Sequence, residues 1–152
     1  MDRTCRIFTD GSAIGNPGPG GLGVVLIEEN KRWEMSGSQC WTTISEMEVV
    51  AAVQALRSLP GRARVELYSD YEYVIYGMRA SVFHWQRHGW RNRRGTQLQH
   101  RELWEELMAL NAQFRIRWTW IRGHNGHPDQ NRADARDYQA ARTLWAQERA
   151  AA

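Results

Sequence analysis

The chain has 152 residues, a net charge of +3, and hydrophobic and charged fractions of 42% and 24%, which are typical of one globular domain with a buried core. No apolar run approaches the roughly 20 residues of a membrane span, and the N-terminus lacks the apolar region of a signal peptide. With Cys5 and Cys40 as its two cysteines, the chain is expected to form neither a disulfide framework nor a thiolate zinc site. We predict a cytoplasmic protein.

The positive charge is concentrated in one segment. No acidic residue occurs between Glu72 and Glu102, and this interval holds six arginines and three histidines: Arg79, Arg87, Arg91, Arg93, Arg94, Arg101, His84, His88 and His100. A block of one sign predicts a surface that binds a polyanion. The histidine pairs at 84 and 88 and at 124 and 127 lack the further ligands of a tetrahedral zinc site, so zinc is not expected.

The first half of the chain predicts three strands and a helix. Residues 4–9, 22–27 and 32–39 have strand-like patterns, and the short polar linker 28–31 is typical of a hairpin turn. From residue 45 to residue 59, apolar side chains recur at the spacing of one helix face. Thr43 and Glu46 fit a capping box, and Pro60 ends the helix.

The second half predicts a strand over residues 64–69, a short helix over 71–79 and a basic, tryptophan-containing segment over about 80–99. A helix with a stripe through Leu103 and Leu107, a strand over 115–122, a histidine loop and a last helix from near Asp129 follow. Strands joined through helices imply a parallel half attached to the antiparallel one. We therefore expect an α/β fold with a mixed sheet, formed as a single domain by residues 1–152.

Four acidic residues occupy positions that suit a site. Asp10 and Asp70 each end a predicted strand, Glu48 lies near a helix start on an alanine-rich face, and Asp134 lies in the first turns of the last helix. The ends of neighbouring strands are where α/β proteins build sites. Each residue also has an ordinary interpretation: the two strand-end aspartates as turn residues, Glu48 as a capping partner of Ser45, and Asp134 as a complement to the helix dipole.

Taken together, the four carboxylates indicate a metal centre. They are hard oxygen ligands, which select Mg²⁺ or Mn²⁺ over zinc. Two such ions about 3.5–4 Å apart would activate a water and stabilise the leaving oxygen of a phosphodiester. The basic segment fits the same substrate class, because it would bind the phosphates.

The chain resembles type 1 ribonuclease H over essentially its full length. The resemblance rests on blocks that occur in order: Phe8-Thr9-Asp10-Gly11-Ser12, Gly15-Asn16-Pro17-Gly18-Pro19-Gly20-Gly21, Met47-Glu48 with Ala51-Ala52, Ser69-Asp70 with Tyr73-Val74, Trp85 with Gly89-Trp90, Gly123-His124 with Gly126-His127-Pro128, and Asn131-Arg132-Ala133-Asp134. It implies a ribonuclease H-like fold, a five-stranded mixed sheet of order 3-2-1-4-5 with helices on both sides. It also implies endonucleolytic cleavage of the RNA strand of RNA/DNA hybrids with two Mg²⁺, leaving 3′-hydroxyl and 5′-phosphate ends.

The same resemblance implies roles for individual residues. Asp10, Glu48, Asp70 and Asp134 become the metal-binding catalytic set, and His124 becomes a loop histidine that assists proton transfer or product departure. The segment near 85–94 becomes a basic protrusion that grips the DNA strand. The residues expected at the substrate are Gly15, Asn16, Thr43, Glu72, Trp85, Arg87, Trp90, Arg91 and His100. Mn²⁺ is a possible substitute for Mg²⁺, and we expect a monomer.

Several positions of the groove depart from the family pattern. The family often carries polar or basic side chains where this chain has Trp41, Ile44, Ser45, Tyr71, Glu72 and His100. Two other functions therefore stay open here. One is a hybrid-binding module with weak or no catalysis, against which the complete carboxylate set argues. The other is a different nuclease of the same fold, such as a Holliday-junction resolvase or an integrase-like enzyme, against which the basic segment argues.

Overall fold

The structure, a computed structural model, describes residues 3–61, 63–123 and 127–151. In these ranges five strands and five α-helices follow one another along the chain, with a π-helical turn between α2 and α3. Their bounds are β1 Arg3–Ala13, β2 Gly18–Glu28, β3 Lys31–Thr42, α1 Ile44–Arg57, β4 Ala63–Ser69, α2 Glu72–Tyr76, the π-helical turn Gly77–Ser81, α3 Val82–Arg87, α4 Arg101–Gln113, β5 Arg115–Trp120 and α5 Pro128–Ala151. None of the described helices is both long and apolar enough to cross a membrane.

The strands form one mixed sheet in the order β3-β2-β1-β4-β5. β1 and β3 both pair antiparallel with β2, whereas β4 runs parallel to β1 and β5 runs parallel to β4. A two-residue turn suffices for the antiparallel hairpin, but each parallel strand needs a crossover, which α1 and the helices from α2 to α4 provide. The predicted fold and strand order are confirmed.

Several predicted element bounds differ from those of the structure, and two of the differences bear on the site. β1 does not end before Asp10 but continues to Ala13, because the glycine-rich start of β2 remains able to pair with it. The predicted short helix over 71–79 is instead part of a helical run that reaches Arg87. The run continues because buried side chains keep the helical spacing into the basic segment, at Val74, Ile75, Met78, Val82 and Trp85.

The sheet is covered on both faces. Ile7 and Val24 pack with α1 and α4 in the larger core cluster, whereas their chain neighbours Phe8 and Val25 pack with Ala133 of α5 on the opposite face. This division follows from the alternation of side chains along each strand. The acidic residues predicted to form the site, Asp10, Glu48, Asp70 and Asp134, lie on β1, on α1, just after β4 and on α5.

Candidate active site

The first group of acidic side chains joins β1, α1 and the end of β4. Asp10, Glu48 and Asp70 each offer a carboxylate oxygen, and these oxygens lie within 4.8 Å of one another. The approach of α1 depends on Gly11, since a Cβ there would lie 2.5 Å from the backbone nitrogen of Glu48. Glycine thus allows the helix to contact the strand directly beside Asp10. In the sequence Asp10-Gly11, the aspartate supplies a candidate ligand, and the glycine leaves room for α1 and its Glu48.

The second group adds α5. Carboxylate oxygens of Asp10, Asp134 and Asp137 also lie within 4.8 Å of one another. Asp10 belongs to both groups, so the structure brings all four predicted carboxylates together around it. It also adds Asp137, which the sequence analysis missed.

A signal for Asp137 was present in the sequence. It lies four residues from Ala133 and four from Ala141, both fully buried on α5. A position between two buried residues at this spacing lies on the same helix face. A carboxylate inside a buried alanine stripe is rarely left there without a partner, and this mismatch could have marked the residue.

Hydrogen bonds orient the Asp10 carboxylate and fix the backbone on either side of Asp70. The Gly11 amide donates a 3.0 Å hydrogen bond to Asp10 Oδ1. Next to Asp70, the Trp120 indole donates to the Asp70 carbonyl at 3.0 Å, and the Tyr71 amide donates to Ser69 Oγ at 3.0 Å. These contacts fix the chain on which the two carboxylates are carried.

The crowding of buried carboxylates shifts their protonation. Burial is the main cause that raises the pKa of Asp10 to about 7. Burial and the neighbouring charge of Asp10 raise the pKa of Glu48 well above its usual range, and the same two causes raise the pKa of Asp137 to about 10. Glu48 Oε2 and both oxygens of Asp137 have no hydrogen-bond partner among the described residues. Hard, unpartnered oxygens in this arrangement suit a divalent cation.

These pKa values predict how stability depends on pH when a chelator removes metal ions. As the pH rises from about 4 to about 7, Asp10 ionises in the unfolded chain but keeps its proton in the folded protein. The folded protein then binds more protons, so the free energy of unfolding falls through this window. Asp137 extends the decrease toward higher pH, because its folded pKa is about 10. Urea unfolding in EDTA across this pH range measures the effect, and a rising stability would contradict it.

The residues expected at the minor groove lie beside this cluster. Gly15 and Asn16 are exposed in the turn between β1 and β2. Asn16 Oδ1 accepts a 2.9 Å hydrogen bond from the Ile44 amide, and Thr43 caps α1 by accepting from the Glu46 amide at 3.1 Å. The turn and the start of α1 are therefore linked. Glu48 has no part in this cap, so its predicted alternative as a capping residue is wrong.

The remaining predicted substrate residues divide into exposed and buried groups. Arg87, Arg91 and Glu72 are exposed. Trp85 and Trp90 each expose 7% of their surface, and Trp85 packs edge-on against Trp104 with centroids 4.9 Å apart. The indoles support the basic segment from inside, and their contact with substrate stays a prediction. His124 lies outside the described residues.

Three of the positions that depart from the family pattern make defined contacts. His100 Nδ1 lies 3.1 Å from Glu46 Oε2. Ser45 Oγ and the Tyr71 hydroxyl are 2.5 Å apart, which links the first turn of α1 to the residue after Asp70. Trp41 has no comparable burial and exposes 69% of its surface. Ser45 and Tyr71 are therefore joined by a hydrogen bond, whereas the Trp41 side chain is largely exposed to solvent.

Known proteins resemble this chain in sequence and in fold. The ribonuclease H of Pelobacter propionicus is 42% identical over 135 residues, which cover 89% of this chain and 83% of the relative. That of Geotalea uraniireducens is 44% identical over 129 residues, covering 85% and 88%.

Two solved structures share the fold. LC9-RNase H1, a type 1 RNase H with the type 2 active-site motif, superposes with a TM-score of 0.85 at 26% identity and covers 95% of this chain and 74% of its own. LC11-RNase H1, solved in complex with an RNA/DNA hybrid, gives a TM-score of 0.72 at 22% identity, with 93% and 99% covered. The family model for RNase H matches residues 2–142. The chain therefore belongs to the RNase H family, as its motifs predicted.

Proposed function

We propose that this ribonuclease H cleaves the RNA strand of RNA/DNA hybrids with two Mg²⁺ ions, for which Mn²⁺ can substitute. The family is metal-dependent, and the acidic cluster of this chain fits that requirement. The observation that carries the proposal is the position of Asp10, whose carboxylate belongs to two groups of three ligands at once. Such a residue can bridge two neighbouring cations.

The protein's own residues supply the positions and the charge. Asp10, Glu48, Asp70 and Asp134 hold the cations in the proposed site, and the Gly11 amide fixes the orientation of Asp10. Bound cations would activate the attacking water and stabilise the leaving oxygen, which gives 3′-hydroxyl and 5′-phosphate ends. His124, which lies outside the described residues, is proposed to assist proton transfer or product departure.

Two surfaces beside the cluster suit the hybrid. Gly15 and Asn16 present exposed backbone and amide groups next to the start of α1, where the 2′-hydroxyls of a wide minor groove could be read. The helical run from α2 to α3 leads from Asp70 to the exposed side chains of Arg87 and Arg91. Arginines contact phosphates without reading bases, so little sequence preference is expected. The hybrid bound to LC11-RNase H1 supports this substrate class.

Strand-labelled substrates test the proposal. RNA/DNA hybrid, double-stranded RNA and double-stranded DNA are each incubated with Mg²⁺ or with EDTA. We expect cleavage of only one strand, the RNA strand of the hybrid, and we expect it with Mg²⁺ but not with EDTA. The acidic cluster requires cations, and the groove requires 2′-hydroxyls. No cleavage with any divalent cation would overturn the proposal. Retained hybrid binding without cleavage would support the alternative of a binding module with weak or no catalysis.

A further inference from the structure

Asp137 is a buried carboxylate that the four-residue catalytic set does not use. It exposes 1% of its surface. Its helix lies directly on β2, since a Cβ at Gly21 would be 2.2 Å from the backbone oxygen of Asp137. This close packing of helix on strand helps to keep the side chain out of contact with bulk solvent. Whatever neutralises this carboxylate must therefore lie inside the protein.

No cationic donor among the described residues reaches it, and the one hydroxyl close enough to lower its pKa is that of Ser12, which is neutral. Both carboxylate oxygens of Asp137 lack a hydrogen-bond partner there, and none of the ion pairs seen in the described ranges includes it. Two arginines that precede it on α5, Arg132 and Arg136, approach Glu34 of β3 instead, with Nε to Oε1 distances of 2.7 Å and 3.9 Å. A buried charge without a partner is strongly unfavourable, so such groups are normally paired or bind a metal.

The oxygens of Asp137 face other acidic groups. One of them lies within 4.8 Å of oxygens of both Asp10 and Asp134. Three ionised carboxylates at this spacing repel one another unless a cation lies between them or one of them keeps its proton. Carboxylate oxygens are the ligands that Mg²⁺ and Mn²⁺ prefer.

We infer that Asp137 is a fifth cation ligand, which completes with Asp10 and Asp134 the binding position of one of the two divalent ions. This inference rests on the proposed metal centre and extends it by one residue. The additional carboxylate increases the negative charge at that position, and it raises the affinity for a divalent cation in competition with protons. The competing arrangement is a protonated Asp137 that donates a hydrogen bond to Asp10, in which case the residue has no contact with the ion.

Metal binding to the ion-free protein separates the two arrangements without any measurement of cleavage. Mn²⁺ binding is measured by titration calorimetry for the wild type and for Asp137→Asn, Asp134→Asn and Asp129→Asn. We expect Asp137→Asn to weaken binding by about tenfold or more, which is the range seen for groups that support a metal site. Asp129→Asn is the matched control, because Asp129 lies on the same helix but pairs with Arg32, and it should bind as the wild type does.

The thermal midpoint gives a second readout. Mn²⁺ should raise the midpoint of the wild type and of Asp129→Asn, and it should raise that of Asp137→Asn less, because stabilisation by a ligand follows its affinity. Asp137→Ala, which also removes the ligand, serves the same purpose if the asparagine variant does not fold. Wild-type Mn²⁺ affinity in Asp137→Asn or Asp137→Ala, together with weakened binding in Asp134→Asn, would overturn the inference alone. Wild-type affinity in Asp134→Asn as well would instead overturn the proposed metal centre.

Discussion

Replacing Asp10 with asparagine is expected to lower the rate of RNA cleavage by about 10³-fold or more while the protein stays folded. A bound cation contributes several kcal/mol to the stabilisation of the transition state, and each 1.36 kcal/mol changes the rate about tenfold. Asp10 belongs to both groups of ligands, so its loss weakens both cation positions together. Single-turnover cleavage of a labelled hybrid at saturating Mg²⁺ measures the change.

The asparagine variant is a fair test because its shape is conserved. The new side chain keeps an oxygen for the 3.0 Å hydrogen bond from the Gly11 amide. It also replaces a carboxyl group whose raised folded-state pKa of about 7 costs stability near neutral pH. In EDTA near neutral pH the variant should therefore unfold at a higher urea concentration than the wild type. Asp129→Asn provides the control for a surface carboxylate on α5 and should cleave normally. A near-normal rate in Asp10→Asn would remove Asp10 from the metal centre.

The fold was predictable because its signals are local and repeated. Short polar linkers between β-prone runs indicated the antiparallel hairpin, and helices between the later strands required the parallel half. The continuation of the helix predicted over 71–79 as far as Arg87 was missed for a different reason. Residues from 80 onward were assigned to the basic segment from their charge. The buried face of this continuation depends on the aromatic cluster formed by Tyr73, Trp85 and Trp104, which only the tertiary structure brings together.

The candidate site was predictable in its members but not in its full extent. Asp10 and Asp70 could be assigned because strand ends of one sheet meet at a common edge. Asp137 could have been noticed as a carboxylate within an alanine stripe, but its position beside Asp10 could not be predicted. That position comes from the distance between α5 and β2, which depends on glycines of β2 such as Gly21. The prediction that Trp85 and Trp90 contact substrate also depends on tertiary structure. Sequence alone does not distinguish an indole that packs inward from one that faces a groove.

Replacing Gly11 with alanine is expected to reduce cleavage by about 100-fold and stability by roughly 1–3 kcal/mol. The added Cβ would lie 2.5 Å from the Glu48 backbone nitrogen and 2.5 Å from the Met47 carbonyl carbon. Both are backbone atoms, so α1 itself must move away from β1. Overpacking of this kind has a stability cost in the stated range, and a displacement of about 1 Å at a reacting site can cost about 100-fold in rate.

The matched control is Gly37→Ala. The three atoms nearest to a Cβ at Gly37 of β3 would all belong to the Leu22 side chain, the closest at 3.5 Å, which is an ordinary contact. Alanine should therefore be tolerated there, with wild-type cleavage. Urea unfolding and single-turnover cleavage are measured for both variants. If Gly11→Ala matched Gly37→Ala in both, the close contact of α1 with β1 would not be what positions Glu48 beside Asp10. Larger losses of cleavage rate and stability in Gly11→Ala than in Gly37→Ala, with Mn²⁺ affinity reduced in Gly11→Ala alone, would support the expected role of Gly11. They would show that the metal centre depends on the absence of a side chain at this position.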